Sequence, residues 1–160
     1  MFILNNDFMY YILILIMEFL LSLPLLQIHI SAVFTTLILV VISDVHALLW
    51  VIGKIPILPR KRMELFHKAV WLGLVVIVSA GLLMFSTYSE YLLTLPAFKI
   101  KMLLVVLLIV NAVFIGGHLQ KATTYTFASL SRKEQIILLI SGAVSSTGWI
   151  GAFIAAQFLS

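Results

Sequence analysis

Long apolar runs take up most of this chain, and they leave it few ways to fold. Hydrophobic sequence covers residues 8–23, 25–52, 69–85, 97–119 and 136–159, with short polar intervals between. A helix needs roughly 20 apolar residues, within a range of about 17–25, to cross a hydrocarbon core of ~30 Å. A lone strand in lipid would leave its N–H and C=O groups unpaired. The expected fold class is therefore all-α: a polytopic transmembrane helix bundle, one integral membrane domain over residues 1–160, with the lipid bilayer as its first partner. Four runs form the core spans.

The first run needs a separate argument. Joined to the second as one helix it would reach about 69 Å at 1.5 Å per residue, twice a membrane. A chain reversal near residues 22–27 is expected, which makes 8–23 a fifth, N-terminal span. One competing reading, a signal peptide, is disfavoured by Asp7 and Glu18 and by the lack of a basic segment before the apolar run; the other is an interfacial N-terminal helix. Pro24 and Pro96 sit where a helix starts without needing their missing N–H. Ser131 followed by Glu134 reads as a capping box opening the last helix.

Composition excludes several function classes. There is no cysteine, so disulfides, thiolate metal sites, iron–sulfur clusters and cysteine nucleophiles are ruled out. Charged residues are only 10% of the chain, against about a quarter in soluble domains. The net charge of +4 does not point to nucleic acid, because the basic residues flank apolar runs. Residues 53–68 hold Lys54, Arg60, Lys61, Arg62 and Lys68 against Glu64 alone, and residues 120–135 hold Lys121, Arg132 and Lys133 against Glu134. Residues 86–96 carry Glu90 and no positive charge. Positive-inside bias puts the first two segments in the cytoplasm and the third outside, with the C-terminus outside.

Four ionisable residues then fall into two layers. His29 follows Pro24 by five residues and Lys101 follows Pro96 by five; His46 and His118 each lie seventeen residues further on. Seventeen residues of helix cover roughly 25 Å, most of a bilayer core. The two stretches overlay at an offset of 72, although apolar helices match easily. In the inner layer His46 and His118 come from different helices, as axial ligation of a haem b requires. Arg60, Lys61 and Arg62 are placed to meet its propionates. The same region offers Asp44, His46, His67 and His118 as a zinc or iron site. The bland alternative makes these histidines idle interfacial residues, a reading that suits His67 best. In the outer layer His29 is a ligand or proton carrier and Lys101 a counter-charge for an anionic group, unless Lys101 only snorkels to the surface. Glu18 is placed to pair with either.

Asn111 lies mid-span and is expected to hydrogen-bond to a neighbouring helix. The last run carries Ser141, Gly142, Ala143, Ser145, Ser146, Gly148, Gly151, Ala152, Ala155 and Ala156. Small residues at this density let helices approach closely, so 141–156 is the expected packing surface for this bundle, another copy or a larger membrane complex. Trp50, Trp71, Tyr88, Tyr91 and Trp149 are explained as interfacial anchors.

Three short stretches resemble a known family. Ile28-His29-Ile30 at a span start, Arg62-Met63-Glu64 opening a helix, and Phe98-Lys99-Ile100-Lys101-Met102-Leu103-Leu104 opening another are similar to the small bacterial membrane proteins called HemJ. Val78-Ser79-Ala80-Gly81-Leu82 gives a related likeness to the copper-resistance protein D family. The resemblance covers roughly residues 25–120. It implies a four-helix, haem-associated protoporphyrinogen oxidase in a bacterial plasma membrane, with His29 and Lys101 as catalytic or substrate-binding residues. The chain departs from that pattern at Asn111-Ala112, where the family has a Tyr-His pair, and at Phe34-Thr35-Thr36-Leu37, where it has an aromatic-glycine stretch.

The leading expectation is thus a haem or other tetrapyrrole protein of membrane redox chemistry, with His46 and His118 as ligands. A transporter or ion-conducting protein using His29, Glu18 and Asp44 is the second expectation. A structural subunit docking through its last helix is the third.

Overall fold

The structure is a computed structural model that describes the main chain of residues 6–159 and the side chains of residues 24–159. Four helices follow one another: α1 Asn6–Val51, α2 Arg60–Thr94, α3 Pro96–Ala122 and α4 Arg132–Gln157. A single turn of 3₁₀ helix, Phe127–Ser129, lies between α3 and α4. Each of the four is long and apolar enough to cross a membrane, the crossing in α1 being Pro24–Val51. No strand occurs among the described residues.

The expected reversal near residues 22–27 is absent: α1 runs on through Pro24 as one helix. A proline inside a helix removes one backbone bond, a loss that membrane helices accommodate through neighbouring groups and local adjustment. The fifth span expected over 8–23, and the role expected of Glu18, rest on side chains outside the described residues.

A second correction concerns α2, expected over 69–85. It begins at Arg60 and ends at Thr94, so most of 86–96 is helix and Leu95 alone joins α2 to α3. The polar residues there kink the helix without ending it: the backbone leaves helical geometry at Tyr88 (φ −119°, ψ 20°) and then resumes, with Ser86 Oγ donating to the Leu83 carbonyl and Thr94 Oγ1 to that of Tyr91, both at 2.7 Å. What ends α2 is Pro96, whose ring pushes Leu95 into an extended conformation (φ −83°, ψ 119°). At its other end Arg60 pairs with Glu64 one turn on, 2.7 Å apart.

The other helix ends follow sequence logic. Gly53, with φ of +76°, turns the chain after α1, and its N–H bonds to the Trp50 carbonyl. The capping box at α4 is formed in both directions: Glu134 N–H donates to Ser131 Oγ, and Glu134 Oε2 accepts from the Ser131 N–H.

Packing is up-down-up-down. The hairpin pairs α1/α2 and α3/α4 make the most extensive contacts, α2/α3 joins them, and the α1/α4 seam is the lightest of the four. Val40, Leu74, Ile77, Leu108, Ala112 and Trp149 form the central core. Trp50, Leu58, Met63, Ala122 and Leu130 form a second core at the end carrying the basic loops. Trp50 and Trp149 are therefore buried core residues and not interfacial anchors (3% and 8% exposed). Trp50 Nε1 donates to the Tyr125 carbonyl at 3.1 Å and the Leu58 N–H to that of Ala122 at 3.0 Å, tying both loops together.

Small residues set the helix separations. A Cβ on Gly73 would lie 2.0 Å from Thr36 Oγ1, so α1 and α2 meet at this distance only because Gly73 has none. Leu108 sits against Gly148 in the same way between α3 and α4. The outward faces are apolar, including Leu65, Leu72, Leu103, Val110 and Ile150. In water such a surface would aggregate; in lipid it is the proper exterior. The chain is built as an integral membrane bundle.

Candidate functional site

Two polar layers exist, and the inner one differs from expectation in membership. Beside the central core, residues of all four helices line a partly open cavity of about 50 Å³. Its polar lining is Ser43 and Asp44 from α1, His67 from α2, Asn111 from α3 and Ser145 from α4; Leu74, Leu108 and Trp149 are among the apolar residues that close it. Such a volume holds a few water molecules at ~10–15 Å³ each.

Asp44 reaches across the lightest seam. Its Oδ2 accepts a hydrogen bond from Ser146 Oγ of α4 at 3.2 Å. His67 is fixed from its own helix, where Trp71 Nε1 donates to His67 Nε2 at 3.1 Å with the two rings nearly perpendicular. An indole nitrogen only donates, so Nε2 is the accepting nitrogen and the neutral ring carries its proton on Nδ1. Gly116 of α3 makes room for this ring, since a Cβ there would lie 2.8 Å from His67 Nε2. Beside them Asn111 and Ser141 are bonded twice: Asn111 Nδ2 donates to the Ser141 carbonyl (3.1 Å) and Ser141 Oγ to Asn111 Oδ1 (2.7 Å). Both are buried, and the pair welds α3 to α4 as expected of Asn111.

His46 and His118 line no part of this cavity. Each donates Nδ1–H to the carbonyl four residues back in its own helix, His46 to Ile42 at 2.8 Å and His118 to Phe114 at 2.9 Å. The His46 ring meets Phe66 of α2 edge-on, while the His118 ring stacks on Phe114. Of the residues expected to meet propionates, Arg60 is paired with Glu64, and Lys61 and Arg62 are exposed. Among the described residues no three His, Asp or Glu side chains group closely enough to hold a metal ion, so Asp44, His46, His67 and His118 do not form one cluster.

At the Leu95 end, His29 of α1 packs against α2. His29 is buried, and its Nδ1 donates to the Ile77 carbonyl of α2 at 3.0 Å. Its ring lies against Gly81, 3.5 Å from where a Cβ would stand. Phe85 and Phe98 stack in parallel at 5.5 Å, which fixes the register of α2 against α3. One turn inward from that stack are Gly81 on α2 and Lys101 on α3.

The Ser146–Asp44 and Trp71–His67 contacts were missed by sequence reasoning. The second had a signal: His67 and Trp71 are four residues apart, a spacing that places two side chains on one helix face. The first had none, because it joins residues 102 positions apart. No protein-family model matches this chain, and no curated protein or solved structure matches it either.

Proposed function

We propose that this protein is a small transporter or ion-conducting protein whose proton-binding group is Asp44, with His67 as its neutral partner across the cavity. The observation that carries this reading is the placement of a carboxylate and an imidazole, from separate helices, on one small, largely apolar cavity of the bundle. Ionisable groups in that position are expensive and mark ion or proton pathways. The roles divide by hydrogen bonding. Binding a proton at His67 Nε2 would sacrifice the Trp71 bond, so His67 serves as an Nδ1–H donor. Asp44 has only hydroxyl donors, Ser146 and Ser145 of α4, and is the group free to gain and lose a proton. Ser43 also lines the cavity.

The test is proton flux in proteoliposomes under an imposed potential, read by an internal pH dye. Wild type should exceed protein-free vesicles by at least tenfold, and Asp44→Asn should return flux to background. Equal flux for wild type and Asp44→Asn would sink the reading.

A second reading, a b-type haem or other tetrapyrrole in membrane redox chemistry, is supported by His46 and His118. Nδ1–H donation to a carbonyl is the arrangement of metal-ligating imidazoles, because it leaves the Nε2 lone pair free. The resemblance to HemJ points the same way. The shared cavity does not fit such a group, being far smaller than a macrocycle and lined by neither ring. A Soret band that weakens in His46→Ala or His118→Ala supports this reading; a folded preparation that stays colourless when supplied with haem removes it.

A further inference from the structure

The outer layer suggests a second site, independent of the proton-binding reading. We propose that Lys101 and His29 form an anion-binding site that takes a carboxylate or phosphate group at the Leu95 end of the bundle. Lys101 and Lys99 both lie in the first turns of α3, yet Lys99 is exposed and Lys101 half-buried. The ion pairs among the described residues are Arg60–Glu64 and Lys121–Glu134, both at the opposite end, and neither involves Lys101. An ammonium withdrawn from water without a counter-charge is costly, and an anion relieves that cost.

His29 supplies a second polar contact. Its Nδ1–H is held by the Ile77 carbonyl, which orients the ring and leaves Nε2 as the nitrogen free to engage a ligand. Nε2 accepts the O–H of a protonated acid or hydrogen phosphate, and when it carries a proton of its own it donates to an oxyanion. The bare backbone at Gly81 gives the ring its place on α2, level with Lys101.

A phospholipid headgroup and a small free anion both present this chemistry, and the experiment separates them. The full chain in neutral detergent would be titrated with phosphatidylglycerol, phosphatidylcholine, inorganic phosphate and acetate, following both thermal unfolding and direct binding. Phosphatidylglycerol alone raising the unfolding temperature identifies a headgroup site; phosphate or acetate doing so identifies a soluble anion. In either case Lys101→Met should weaken binding at least tenfold, with Lys99→Met unchanged. If Lys101→Met does not fold, Lys101→Gln and His29→Gln are read by direct binding. No response to any of the three anionic probes, as when an internal carboxylate such as Glu18 already neutralises Lys101, overturns the proposal. So does an equal loss in Lys99→Met.

Discussion

Trp71 Nε1 donates to His67 Nε2 at 3.1 Å across one turn of α2, and this bond decides which nitrogen of His67 is free. It holds the imidazole at the wall of the central cavity in one tautomer. Trp71→Phe keeps the apolar bulk and frees Nε2 to bind a proton. The expected cost in stability is about 0.5–1.5 kcal/mol, the usual net worth of one hydrogen bond. Nitrogen-15 NMR of labelled imidazole should show the tautomer becoming mixed; an unchanged tautomer would contradict the assignment.

Asp44→Asn preserves size and can still accept from Ser146 Oγ. Stability should change little, within the ~0.6 kcal/mol typical of an interhelical hydrogen bond in membranes, while proton flux is lost. Ser146→Ala provides the complement, removing one of the two hydroxyl donors while leaving the carboxylate. Its flux should persist, and comparing the two variants separates charge from packing.

Gly73→Ala should destabilise the α1/α2 hairpin by about 1–3 kcal/mol, the cost of overpacking a close contact. The added methyl would lie 2.0 Å from Thr36 Oγ1, and Thr36 is almost fully buried. Thr36→Ala in the same chain should restore part of the loss, because the contact left, with the residue 36 Cβ, is at 3.0 Å. Unfolding in mixed detergent micelles measures both variants.

Asn111→Leu and Ser141→Ala break the same reciprocal pair, so their effects should not add. A double-mutant cycle should give a coupling of roughly 0.6–1.7 kcal/mol, the measured range for polar pairs in a helical membrane protein. Strict additivity would mean the two-way bond does not form.

Ser131→Ala removes the side-chain acceptor for the Glu134 N–H at the start of α4. Loss of about 1 kcal/mol is expected, as for other N-cap serines. Glu134 also takes Lys121 Nζ, so Glu134→Gln should loosen the link between the end of α3 and the start of α4 as well. Hydrogen exchange in the first turn of α4 reports both.

Helical class and the number of core spans follow from sequence alone. Apolar length forces helices, because lipid offers nothing to unpaired backbone groups. Pro96 and the Ser131/Glu134 pair mark the starts of α3 and α4, whereas Pro24, expected to do the same, lies inside α1. Tertiary structure alone decides which side chains meet. These helices are apolar on nearly every face, so no polar stripe announces their rotation. A shift of one residue turns a side chain by 100°, enough to move a histidine from interior to lipid. Contacts such as Gly73 against Thr36 and Gly116 against His67 set that rotation. They bring His67 to the cavity that Asp44 lines and leave His46 and His118 bonded to their own helices.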